Sequence, residues 1–111
     1  MDSKDEKQLV VGFGQIRPLT PDYAELASLY VLPEYRKQGI GTALVKELLK
    51  CYDAEKQEAV VCLLTLRPTI PFYTPHGFRV VENIPEPLKF EFKAGSVIST
   101  LLGNDLVCMV R

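Results

Sequence analysis

Leu29-Tyr-Val-Leu-Pro-Glu-Tyr-Arg-Lys-Gln-Gly-Ile-Gly-Thr-Ala-Leu44 runs from an apolar strand through a charged turn and two glycines into an amphipathic helix. That order builds an anion site. Backbone N–H groups at a helix start have no partner within the helix, and the helix dipole makes that end attractive to phosphate oxygens. Gly39 and Gly41 remove the side chains that would block the approach, and they permit backbone conformations closed to other residues. The peptide groups of Lys37, Gln38, Gly39, Ile40, Gly41 and Thr42 are therefore expected to turn their donors toward a phosphate, with Arg36 and Lys37 adding positive charge at the rim.

Working outward, Ile40, Ala43, Leu44, Glu47, Leu48 and Cys51 recur at three- and four-residue steps, which predicts a helix from Ile40 to about Tyr52 packed on a sheet, with Lys46 and Lys50 toward water. Before it, Leu9 to Arg17 and Tyr23 to Leu32 read as a hairpin around the turn Pro18 to Asp22, and Pro33 ends the second strand. After it, the apolar run Ala59 to Leu66 reads as a central strand parallel to Tyr23–Leu32, since a helix connects the two. Thr69 to His76 predicts a short helix closed by Gly77, Phe78 to Val81 a strand, and Asp105 to Arg111 a last strand. Pro87 to Leu102 has apolar residues at mixed spacing and reads as either helix or loop. The expected fold class is α/β (α+β): a mixed, mostly antiparallel twisted sheet with a splayed parallel pair and flanking helices. It forms one domain over residues 9–111 behind a polar tail, 1–8.

Arg36-Lys-Gln-Gly-Ile-Gly41 fits the R/Q-x-x-G-x-G/A signature of the GNAT superfamily of acyl-CoA-dependent N-acetyltransferases, and the preceding strand and turn resemble those that lead into it. Pro71-Phe-Tyr-Thr-Pro-His-Gly-Phe78 is similar to the family's later F-Y-x-x-x-G-F element. Both motifs stand in the family's order, and with their strands they cover most of the chain from Val10 to Val81.

The resemblance implies acetyl-CoA as cosubstrate and direct transfer of its acetyl group to a primary amine. It implies that the pantetheine arm lies along Leu29, Tyr30 and Val31 as an added strand, and that the pyrophosphate rests on the amides of Lys37 to Thr42. Read without it, Leu29 to Val31 is plain core strand. Direct transfer needs a proton for the departing thiolate. A thiol has a pKa near ~8.5 and a phenol near ~10, so a phenol beside the sulfur can donate as charge develops. Tyr73 matches the family's tyrosine and is the candidate acid; its other reading is an aromatic that packs the short helix on the sheet, as Phe72 does. Glu25 lies on the strand leading to the CoA segment, where some members carry a glutamate that removes the amine proton through water. It is the candidate base, or else a solvated charge. His76, the single histidine, reads as an exposed loop residue.

Composition narrows the classes. With 13 basic and 14 acidic residues spread along the chain and no basic block with interleaved aromatics, a nucleic-acid partner is not expected. The longest apolar stretch, Ala59 to Leu64, is far short of a membrane span, and the polar start is unlike a signal peptide, so a cytoplasmic location is expected. Cys51, Cys62 and Cys108 are odd in number and far apart, which indicates neither a disulfide framework nor a metal site.

Two departures from the family pattern bear on function. Members normally open with a strand and two helices that wall the acceptor pocket, and here only Met1 to Gln8 precedes the first recognisable strand. The asparagine often found before the second motif is replaced by Leu66-Arg-Pro-Thr-Ile. An uncovered apolar sheet face would follow, which predicts a homodimer that covers it, with the segment Pro85 to Arg111 able to supply the absent wall. The alternative function is a CoA-binding regulatory or assembly module without transfer activity.

Overall fold

A computed structural model describes residues 9–111; the polar tail, 1–8, lies outside them. Five strands form one sheet in the order β1-β2-β3-β5-β4, with β1 Gly12–Pro18, β2 Tyr23–Val31, β3 Val60–Leu66, β4 Arg79–Val81 and β5 Leu106–Val110. Helix α1 spans Ile40–Ala54, the one-turn α2 Ile70–Tyr73 and α3 Lys89–Leu101. All neighbouring strands are antiparallel except β2 and β3. This is the mixed, mostly antiparallel sheet expected from the sequence. Among the described residues, no helix is long and apolar enough to cross a membrane.

The parallel pair is short. Tyr23, Ala24 and Glu25 face Val60, Val61 and Cys62, and there the ladder stops. β3 continues to Leu66 paired only with β5, and β2 continues to Val31 paired only with β1. A bulge on β2 helps turn it away: between the pairs Gln15–Ala27 and Phe13–Tyr30, two residues, Ser28 and Leu29, oppose the single Gly14, and Ser28 adopts φ 57°. Because the bulge adds a residue, Leu26 before it and Leu29 within it pack on the same side of the sheet.

α1 and α2 cover that side. Val45 and Leu49 are buried against Leu26, Val61, Leu63, Val107 and Met109, with Tyr73 and Phe78 closing the cluster. The inward face of α1 is rotated from the expected one. Ala43, Glu47 and Cys51 are exposed, and Val45, Leu49 and Tyr52 take their place beside Leu44 and Leu48. Two glycines in β1 explain the shift. A Cβ on Gly12 would stand 3.1 Å from Leu44 Cδ1, and one on Gly14 would stand 3.1 Å from Leu48 Cδ1, so the helix settles onto β1 through those leucines.

The opposite side of the sheet is covered by α3, not bare as the missing elements suggested. Leu88, Cys62 and Cys108 are buried there, with Tyr23, Leu64 and Phe92 around them. The open choice for Pro87 to Leu102 is thus settled as a helix over Lys89–Leu101, which lies close on the sheet at Gly95, where a Cβ would meet the Leu106 Cδ2 methyl at 2.8 Å. The first strand begins at Gly12 instead of Leu9, because its partner β2 ends at Val31, opposite Gly12. Beyond that point only Leu32 N–H reaches back, to the Val11 carbonyl at 2.7 Å.

Candidate active site

The chain leaves β2 at Val31, makes a single 3-10 turn over Pro33–Tyr35, and enters α1 through Lys37 at φ 63° and Gly39 at φ 83°. These left-handed residues fold the turn back so that peptide N–H groups converge in front of the helix. The first helical bond runs from Ala43 N–H to Gly39 C=O at 3.0 Å, leaving the amides of Ile40, Gly41 and Thr42 outside that ladder. A Cβ on Gly39 would meet nothing within 4 Å, so open space lies before these donors. Gly41 has the reverse role: a Cβ there would stand 3.2 Å from Phe72 Cζ, and its absence lets α2 close against the helix start.

The end of β2, beyond its pairing with β3, this helix start and α2 enclose one cleft of about 670 Å³. Of the residues singled out in the sequence, Leu29, Tyr30, Val31, Arg36, Lys37, Gly39, Gly41, Thr42 and Tyr73 line it together. Gln38 does not; its amide nitrogen donates to the Glu34 carbonyl at 3.2 Å, back toward the turn. Ile40 is half-buried and stands outside the lining. Arg36 is drawn into the wall: its Nε donates to the Val31 carbonyl at 2.8 Å, and its guanidinium lies 5.2 Å over the Tyr30 ring. Of the two cations, Lys37 is the one left to stand at the rim.

Tyr73 is buried, packed edge-on to Phe72 at 4.9 Å and to Phe78 at 5.9 Å between ring centroids. Burial pushes its phenol pKa up, which keeps the proton on the oxygen. Among the described residues its hydroxyl makes no hydrogen bond, and the residue lines the cleft. Phe72, expected as core alone, also lines the cleft, and Tyr35 and Thr69 join it. No local pattern marks the last two; a position shortly after each strand end that faces the splay is their one sequence signal.

Glu25 lies elsewhere. It is buried at the vertex of the splay, opposite Cys62 in the last parallel pair, and is absent from the cleft lining. Its Oε1 accepts from Arg17 Nη2 at 2.6 Å and Nε at 3.1 Å across the hairpin, and Arg17 also reaches Glu91 of α3 at 3.7 Å. It is therefore not the solvated charge that the strand position also allowed. His76 is not an exposed loop residue either. It is half-buried against Phe72 at 6.0 Å, and burial, with Lys46 nearby, lowers its pKa below the usual imidazole value.

A cleft at the end of β2, a helix start turned toward it and a tyrosine in its lining are the parts the two motifs imply. The acetyltransferase (GNAT) domain profile matches residues 4–80. The chain belongs to the GNAT acetyltransferase domain family. Solved structures align over more than nine tenths of it. The Mycobacterium tuberculosis protein Rv2747, solved in complex with CoA and NLQ, is 28% identical with a TM-score of 0.67, covering 97% of this chain and 72% of its own. Ard1 from Thermoplasma volcanium is 20% identical with a TM-score of 0.60, covering 91% and 62%. A Bacillus anthracis protein assigned as a streptothricin acetyltransferase, in complex with acetyl coenzyme A, is 16% identical with a TM-score of 0.67, covering 92% and 56%. This chain thus spans just over half to under three quarters of their lengths. No protein of curated function matches the sequence significantly.

Proposed function

We propose that the protein transfers the acetyl group of acetyl-CoA to a primary amine by direct attack, in the cytoplasm and as a homodimer. One observation carries the reading: Leu29 to Val31 of β2, beyond its pairing with β3, the helix start behind Gly39 and Tyr73 line the same cleft. The pantetheine arm would add to β2 along Leu29, Tyr30 and Val31, and the pyrophosphate would rest on the amides from Lys37 to Thr42, with Lys37 as its nearby cation. The CoA in the mycobacterial relative's complex supports acyl-CoA as the ligand.

The thioester sulfur then comes to the inner end of the cleft. Tyr73 donates its proton to the leaving thiolate as the amine nitrogen bonds to the acyl carbon. Its raised pKa keeps it in the donating form across the physiological range. Glu25, which stands outside the cleft lining at the vertex of the splay, is the proposed base, acting on an amine that approaches from that vertex. Arg17 engages only Oε1, and Oε2 takes no hydrogen bond among the described residues, which leaves it free to receive the amine proton through a water.

Replacing Tyr73 by phenylalanine separates transfer from binding. The expected result is a fall in kcat of about a hundredfold or more, with acetyl-CoA affinity within a few-fold of the parent. Unchanged turnover would remove Tyr73 from the chemistry. Acetyl-CoA binding with no turnover in the parent against any amine would favour the non-catalytic CoA-binding module.

A further inference from the structure

Helix α3 is apolar on the wrong side. Its sheet-facing side is Phe92, Gly95, Ser96 and Ser99, mostly small or polar residues. Its outer side carries Phe90, Ala94, Val97 and Leu101, with Ile98 and Leu102 on the flank. Phe90 and Leu101 are 82% and 81% exposed, Leu102 is 74%, and Val97 and Ile98 are 60%. The steps 90, 94, 97 and 101 are four, three and four residues, which is the seam of a helix that packs along a second helix.

We infer that this outer seam of α3 is the contact surface of the homodimer, pairing antiparallel with α3 of a second copy about a two-fold axis. The inference deepens the homodimer reading above and is independent of the acetyl-transfer chemistry. In such a pair, residues facing each other across the axis have positions of constant sum, and each contact occurs twice. A centre between residues 95 and 96 sets Phe90 against Leu101 of the second copy and Ala94 against Val97. Bulky side chains then meet at both ends, and the small Ala94 admits Val97 in the middle. The register also sets Lys93 beside Ile98, where its aliphatic stem can lie over the isoleucine with the ammonium in water.

Charge and area both favour a second copy. In this register 94–97, which carries no charge, meets itself, and Lys89, Glu91 and Lys93 stand opposite the uncharged Leu102, Thr100 and Ile98 of the second copy, so no charged side chain faces another across the axis. The five large exposed side chains offer roughly 600 Å² per protomer, most of the ≈ 800 Å² that each partner gives to a standard interface.

Sedimentation equilibrium over a micromolar range under reducing conditions tests this with the parent, Ala94→Glu, Val97→Lys and an equimolar mixture of the two variants. The expected result is a dimeric parent, two monomeric variants with parental circular dichroism, and dimer restored in the mixture, where the carboxylate introduced on one chain would face the ammonium introduced on the other. Dimeric variants overturn the seam while leaving a homodimer by another surface. A monomeric parent overturns both. If either variant misfolds, Leu101→Glu, at the exposed end of the helix, replaces it and is expected to be monomeric.

Discussion

Cys62 and Cys108 stand on neighbouring strands under α3, each almost fully buried, and burial pushes their thiol pKa values to about 12 and about 11. Raising a thiol pKa removes thiolate, the reactive form, so both are inert near neutrality. Cys51 is exposed on α1, but its Sγ donates to Glu47 Oε2 at 3.5 Å, which also raises its pKa. Titration with a thiol reagent at pH 8 is therefore expected to label one cysteine in the native protein, more slowly than a free thiol, and three in denaturant. Rapid labelling of two or more native thiols would contradict the packing under α3. At this scale the sequence was legible where chemistry is written into the local backbone. Gly39 and Gly41 announce a helix start open to an anion, and Tyr73 sits in a motif whose neighbours fix its place. Contacts that depend on register across the sheet were not legible. Nothing in Glu25 and Arg17, eight positions apart, states that the hairpin sets them side by side, and nothing in Arg36 states that it folds onto Val31 and Tyr30.

The elements show the same division. The order of strands and helices followed from apolar runs and turn residues, and the crossover through α1 implied the parallel pair. The length of that pair did not follow, because the bulge at Ser28 depends on tertiary fit and has no sequence mark. The inward face of α1 does not follow from its own period, because Gly12 and Gly14 of β1 leave the space into which Leu44 and Leu48 settle. Pro87 to Leu102 reads ambiguously because the sheet-facing side of α3 is small or polar apart from Phe92 while Phe90, Val97 and Leu101 point outward, so its apolar period does not mark the buried side. The two β1 glycines give a graded test. A Cβ on Gly12 would lie 2.9 Å from the Tyr30 carbonyl oxygen, a backbone atom that cannot move alone. A Cβ on Gly14 would lie 2.9 Å from Leu29 Cδ1, the end of a flexible side chain. Gly12→Ala is accordingly expected to destabilise the fold by about 1–3 kcal/mol and Gly14→Ala by less. Chemical denaturation measures both, and the reverse ranking would mean that α1 does not seat on β1 as described.

Across the whole molecule, the sheet is two parts joined by three parallel pairs at Tyr23–Glu25 and Val60–Cys62, with β1 and the rest of β2 on one side and the rest of β3, β5 and β4 on the other. The unpaired lengths of β2 and β3 leave backbone groups without sheet partners, a standing cost that an added extended ligand would relieve. A ligand that bridges both parts should stabilise the native state by linkage, about 2.7 kcal/mol when present at a hundred times its dissociation constant. For a chain of this size each kcal/mol raises Tm by about 4–8 °C, so saturating acetyl-CoA is expected to raise it by roughly 10–20 °C. Gly39→Glu places a carboxylate in the open space before the helix start and strains a residue at φ 83°. Its own Tm should be somewhat lower than the parent's, and the rise with acetyl-CoA should be largely lost because the new charge repels the pyrophosphate. Calorimetric titration of both proteins separates the two effects. Binding lost in the variant places the cosubstrate at this turn, whereas an equal Tm rise in both would place acetyl-CoA elsewhere on the molecule and leave the splay without its ligand.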